Sequence, residues 1–152
     1  MAIGKRIKYF RNRKDMTQKQ LGEALGFHGK TADVRIAQYE SETRVPKSQI
    51  VRKMADIFGV SPDALTVPDI NSELGLLHTL FALEDMYGFK IGAGDGKICL
   101  FLEDAEPAVY ISVWDWMEQA EKLERDEISR EEYDNWRYNF PNISAEEEVK
   151  EA

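Results

Sequence analysis

The sequence predicts an all-α N-terminal domain of five short helices over residues 1–68, followed by a small α+β domain over residues 69–152 with a short β-hairpin. Three observations predict it. Apolar residues recur at helical spacing, with a capping signal at nearly every helix start, through the first part of the chain. Asp95-Gly96 sits between two apolar runs, a strong local hairpin signal. The charge also changes sign near residue 68. Residues 1–68 hold 13 Lys+Arg against 7 Asp+Glu, a net of +6, and residues 69–152 hold 7 against 21, a net of −14. The overall charge of −8 therefore conceals a basic half suited to a polyanion and an acidic half with another task.

The helices of the first half follow in order. Ile3, Ile7 and Phe10 recur at i, i+4 and i+7, so the first helix runs from about Ile3 to Lys14. Thr17 is an N-cap with Gln20 at the third helical position, a capping box. Leu21, Ala24 and Leu25 form the buried stripe of the second helix, and Gly26 stops it. Thr31 is read as the cap of the third helix, with Asp33 in the first turn, where negative charge suits the helix dipole. Ala32, Ile36, Tyr39 and Glu40 share one face of that helix. Pro46 and Ser48 open the fourth helix, with Ile50, Met54, Ile57 and Phe58 inward and Gly59 at its end. Ser61-Pro62-Asp63 starts a fifth, with proline at its preferred first position.

Val67 to Ser72 reads as a linker. Residues 72–86 carry Leu76, Leu77, Leu80, Phe81 and Leu83, a helix apolar over much of its circumference and therefore expected in a core or between subunits. Strands are expected at Phe89–Ala93 and Lys97–Leu102, with a third candidate at Val109–Ser112. A helix from about Val113 carries Trp116, Ala120 and Leu123. Ser129 and Glu132 make a second capping box, with Ile128 and Tyr133 as a hydrophobic staple, for a last helix lined by Tyr133, Trp136 and Phe140 and ended by Pro141. Residues 144–152 read as a frayed acidic tail.

Two stretches, IGKRIKYFRNRKDMTQKQLGEALG and IAQYESETRVPKSQIVRKMADIFGVSPDAL, resemble the Cro/C1-type helix-turn-helix regulators, the XRE family with its lambda-repressor-like five-helix domain. The resemblance covers roughly residues 3–65. It implies a sequence-specific DNA-binding transcriptional regulator, a repressor that lays its third helix in the major groove and binds double-stranded DNA as a homodimer. One departure matters. Gly26 and Ile36 are ten apart, and GFHGKTADVR carries about four extra residues, close to one helical turn. They lengthen either the turn or the start of the third helix.

With Ile36 inward and about 100° per residue, Thr31, Val34, Arg35 and Gln38 fall on or near the opposite face, with Lys30 close by. Arginine can donate twice to guanine, glutamine can pair bidentately with adenine, and valine can touch a thymine methyl. The resemblance carries base reading to Val34, Arg35 and Gln38. It carries phosphate contacts to Gln18, beside the Thr17 cap, and to Arg44, Lys47 and Ser48 around the start of the fourth helix. It also implies that Arg11 and Glu40 tie the first helix to the third.

Other functions have weaker support. The single Cys99 excludes an intramolecular disulfide and a multi-cysteine zinc site, and is expected to be a buried apolar residue. His78 is expected in a packed core; His28, in the lengthened turn, is a weak phosphate candidate. Gly92-Ala93-Gly94-Asp95-Gly96 lacks the Lys-Ser/Thr ending of a phosphate loop. Ser112 and Lys122 do not make a protease dyad, so no enzymatic activity, cofactor or metal is expected. Trp114, Trp116, Trp136 and Tyr138 are read as a helix–helix core ahead of a ligand pocket. The longest uncharged apolar stretch, Leu74–Leu83, is about half a membrane span, and no secretory signal is evident. The chain is thus expected to be cytoplasmic. The alternative to a repressor is an antitoxin-like protein-interaction module on the same fold, with the acidic half docked on a basic protein partner.

Overall fold

In a computed structural model, residues 3–68, 70 and 72–141 are described. The chain divides into two compact units. The first contains the residues up to 69 together with those from Asn135 onward, and the second is Ile70–Asp134. The chain thus leaves the first unit once and returns to it within its last helix.

Four α-helices build the first unit: α1 (Ile3–Arg13), α2 (Gln18–Ala24), α3 (Thr31–Glu40) and α4 (Ser48–Phe58). The capping box at α2 is formed in both directions. The Thr17 hydroxyl accepts from the Gln20 N–H at 3.1 Å, and the Gln20 side-chain oxygen accepts from the Thr17 N–H at 2.7 Å. Gly59 closes α4 with φ of 71°, a left-handed residue that lets its N–H reach back to the last carbonyls. The expected fifth helix is a single 3-10 turn, Pro62–Ala64. Ser61 and Pro62 start it as expected, but Pro68 follows too soon for a second turn to form.

The core of this unit is Ile7, Phe10, Leu21, Ile36, Tyr39, Met54, Phe58 and Leu65 with their neighbours. On α4 the residues sealed from water are Val51, Met54, Ala55 and Phe58, while Ile50 and Ile57 are half-buried against the same core. Helices α2 and α3 touch at Gly22, where a β-carbon would fall on the backbone of Ala32. That glycine sets how closely the two helices approach.

The second unit contains α5 (Glu73–Tyr87), the antiparallel strands β1 (Phe89–Gly94) and β2 (Lys97–Leu102), α6 (Pro107–Glu124) and the start of α7 (Arg130–Tyr138). Ser72 caps α5 by accepting from the Gly75 N–H at 3.0 Å. The hairpin register pairs Ile91 with Leu100 and Ala93 with Ile98 across Asp95-Gly96. The expected third strand at Val109–Ser112 lies inside α6, which begins six residues before the expected start at Val113. Pro107 at the first helical position nucleates it, and the helical recurrence of Val109, Ser112, Val113 and Trp116 outweighs the β-branched pair Val109 and Ile111. The Ser129–Glu132 capping box is present, with the Glu132 carboxylate accepting from the Ser129 N–H at 2.7 Å. These bonds hold the Glu132 carboxyl below the usual carboxylate range, the backbone N–H first and the Ser129 hydroxyl second. Helix α7 ends at Tyr138, short of Phe140. The expected tail at 144–152 lies outside the described residues.

Three expectations about the interior need correction. His78 is exposed rather than packed, with its ring edge-on to Phe81 at 5.7 Å. Cys99 is only half-buried. The tryptophan and tyrosine set makes no single helix–helix core: Trp114 and Trp116 lie in the second unit, about half exposed, and Trp136 and Tyr138 belong to the first. The reason is common to His78 and the two tryptophans. No residue of α5 or α6 is buried.

Candidate nucleic-acid interface

The extra residues lengthen the turn. Helix α2 ends at Ala24 and α3 starts at Thr31, so residues 25–30 connect them, with Gly26 and Gly29 both at positive φ. Thr31 is the first helical residue and not the cap. Its hydroxyl donates to the His28 carbonyl at 2.7 Å and ties the turn to the helix start. Lys30 occupies the cap position without a side-chain bond.

Helix α3 is phased by Ala32, Ile36 and Tyr39, which are buried. That leaves Lys30, Thr31, Asp33 and Val34 exposed, Val34 by 52%, and Arg35 and Gln38 half-exposed. Arg35 places its guanidinium over the Phe27 ring, 5.1 Å from the centroid. Phe27 comes from the lengthened turn, so the added residues supply a platform that restrains an arginine on the open face. The sequence reading did not single out Phe27; an apolar residue directly after the helix-ending glycine was the available signal. Among the described residues, no hydrogen bond or ion pair engages the side chains of Lys30, Arg35, Gln38, Arg44 or Lys47. These are donors with unused capacity at the surface.

Below α3 lies a charged anchor. Glu40 accepts from Arg11 Nε at 2.5 Å, from Arg11 Nη2 at 3.2 Å and from Gln18 Nε2 at 2.8 Å. Arg11 also donates to the Met16 carbonyl at 2.6 Å. The Arg11 and Glu40 side chains are only 11% and 6% exposed. The expected tie between the first and third helices is therefore present, and it reaches α2 as well. Gln18, read as a phosphate contact, is bound internally through one amide N–H. A single amide nitrogen carries two donors, so this bond fixes the direction of the other.

At α4, Arg44, Lys47 and Ser48 are exposed around the helix start. Lys47 is the cap residue, and its ammonium can only donate, so no side chain caps the Ser48 and Gln49 N–H groups at the positive end of α4. The arrangement offers two things: a helix face that presents valine, arginine and glutamine side chains, and a neighbouring helix start with cations and free N–H groups. No group of three or more potential metal ligands occurs among the described residues. No helix of the described residues is long and apolar enough to cross a membrane.

Residues 7–65 match the helix-turn-helix family HTH_3. No curated protein matches the sequence. Among solved structures, the crystal structure of the transcriptional regulator BswR is similar, at 23% identity and a TM-score of 0.43, over 76% of this chain and 92% of that one.

Proposed function

We infer, from a chain whose residues 7–65 form a helix-turn-helix domain, that it is a DNA-binding transcription regulator, and we propose that it acts as a sequence-specific repressor. Helix α3 enters the major groove. Val34, Arg35 and Gln38 read base edges, and Lys30 and Thr31 flank them. Gln18, Arg44, Lys47 and Ser48 hold phosphates and set the register of the helix on the duplex. The observation that carries this reading is the open face of α3, where Arg35 rests on Phe27 and, among the described residues, neither its side chain nor that of Gln38 forms a hydrogen bond or ion pair.

A domain of this size makes a small interface with one half-site. Two copies reading half-sites roughly 34–36 Å apart supply the rest of the affinity and the specificity. The basic N-terminal half, residues 1–68, faces the phosphates. The acidic half, residues 69–152, supports dimerisation and stays off the DNA. A cytoplasmic location fits this role.

Binding to random duplex DNA, titrated with salt, tests the phosphate-contacting surface. The reading predicts a steep linear fall of log affinity with log salt, shallower by about one unit in Lys47→Ala. Selection from random DNA should then enrich a sequence with two-fold symmetry. Affinity that ignores salt, or selection that enriches no sequence, would overturn the proposal.

A further inference from the structure

The second unit contains 65 residues, Ile70–Asp134, and among its described residues the only buried ones are Tyr133 and Asp134. Its large apolar side chains face water instead. Of the nineteen exposed large hydrophobic residues among the described residues, sixteen belong to this unit. On α5 they include Leu77 and Phe81, on the hairpin Ile91 and Ile98, and on α6 Trp114 and Trp116. Ile98 is 80% exposed.

The hairpin shows the pattern most clearly. Strand alternation puts Phe89, Ile91 and Ala93 of β1 on the same face as Ile98, Leu100 and Leu102 of β2. That face is apolar along its whole length, but only its base is covered: Phe89 and Leu102 are half-buried, and Ile91, Ile98 and Leu100 are exposed. Between the hairpin and α6 lies an apolar groove of about 440 Å³, which includes Leu100, Trp114 and Trp116 in its lining. A two-stranded hairpin is marginal alone and needs a packed face.

Sixteen side chains of this size, about half exposed, leave on the order of 1,400 Å² of apolar surface in water. The largest such patch on an ordinary monomer is about 300–600 Å². Half of the total on one face would approach the ~800 Å² that each partner gives to a stable interface. The helices that carry it are otherwise well specified, since α5 has a serine cap at one end and a left-handed glycine at the other. The sequence thus builds the elements of a domain without its interior. An interface that resembles a domain core cut in half is the mark of an obligate homodimer.

We propose that Ile70–Asp134 is half of a folding unit, and that a second copy of this chain seats its own α5, hairpin and α6 against the same surfaces to complete one shared core. The dimer of the preceding section is then obligate: the second unit folds only as it pairs. This inference rests on that dimer, not on the DNA-reading face, and its test uses no DNA. A failure here leaves salt-dependent DNA binding untouched, and the converse also holds.

The full chain is unfolded in urea while tryptophan fluorescence is followed, at roughly 1 μM and roughly 100 μM protein, because association makes stability depend on concentration. The proposal expects a sedimentation mass of two chains and a midpoint that rises with concentration. Phe81→Asp should give a single-chain mass with the Trp114 and Trp116 emission shifted to that of water-exposed indole. Because a charge at position 81 also disturbs the packing within one copy, Ile98→Ser is the sharper probe. A side chain so exposed in one copy contributes almost nothing to a monomer, so its removal should leave a monomer unchanged but weaken the dimer at least tenfold. A wild-type mass of one chain with a concentration-independent transition would overturn the proposal. So would an Ile98→Ser dimer as tight as the wild type. A monomer that melts cooperatively only after a small apolar molecule is added would assign the groove to a ligand and likewise overturn it.

Discussion

Ile7, Phe10, Leu21, Ile36 and Met54 of the first unit are sealed from water, whereas Leu77, Phe81, Ile98 and Trp116 of the second, of comparable size, face it. The two units carry similar apolar resources and use them differently. In the first, short helices bend around a single interior, locked by the buried Arg11–Glu40–Gln18 network and by the close approach at Gly22. What remains at its surface is mostly polar, and it is this surface that the proposed function places against DNA. In the second, longer elements leave their apolar faces outward. On the proposed reading, the difference separates a domain that recognises DNA through a few side chains from one that a second copy completes.

The comparison breaks first at the buried ion pair. Arg11→Ala leaves the Glu40 carboxylate buried with only Gln18 to hold it, at a cost of about 3–5 kcal/mol. Thermal unfolding followed by circular dichroism should show the first unit lost or barely stable. A loss under about 1 kcal/mol would mean that water already reaches the pair.

The next effect concerns where the first unit ends. Tyr138 of α7 packs edge-on against Phe10 at 5.0 Å, its carbonyl accepts from the Ser61 N–H at 3.0 Å, and the Arg6 guanidinium lies over its ring. Tyr138→Ala should cost about 2 kcal/mol, part of the ~3–5 kcal/mol of a fully buried aromatic, since the ring is half-exposed. A fragment of residues 1–68 should be weaker than the full chain by a similar amount in urea. Equal stability would show that the first half needs nothing from the C-terminal helix. Gly22→Ala comes next, at about 1–3 kcal/mol, because the new methyl forces α2 and α3 apart. The same denaturation measurement reads it, and an unchanged midpoint would contradict the tight approach.

The smallest effect is in the second unit. The Glu132 carboxyl is held below the ordinary glutamate value by the Ser129 N–H and hydroxyl. Its contribution to α7 is therefore present above that ordinary value and lost as pH falls through the lowered one. Glu132→Gln keeps an acceptor and does not titrate, so its helical signal should change less over the acid range than that of the wild type. Matching acid titrations would remove the carboxylate from the account of this helix.

Much of the first unit was legible because its signals are local and agree. The Thr17–Gln20 box, the Gly59 stop and the 3.6-residue recurrence of Ile3, Ile7 and Phe10 each point to the observed helix. The α3 face followed from Ile36 alone, since one buried residue fixes the phase of ten. The Phe27 platform did not, because the lengthened turn has no periodicity to read. Nor did the docking of Tyr138, which lies beside rather than on the Tyr133–Trp136–Phe140 stripe and finds its aromatic partners Tyr9 and Phe10 more than a hundred residues earlier. In the second unit the hairpin was legible from Asp95-Gly96, but the start of α6 was not, since Val109 and Ile111 suit a strand equally well in isolation. The apolar helix around His78 and the helical spacing of the tryptophans point to an interior, but neither α5 nor α6 has a buried residue.

The central claim is that the open face of α3 reads base edges. It is tested most directly by selecting bound sequences from random duplex DNA with the wild type, Arg35→Ala and Gln38→Ala in parallel. The account predicts that each variant loses preference at particular base pairs, by about 1–3 kcal/mol of discrimination, and keeps its affinity for random duplex. Variants that retain the full wild-type preference, or that lose specific and random binding in equal measure, would contradict it.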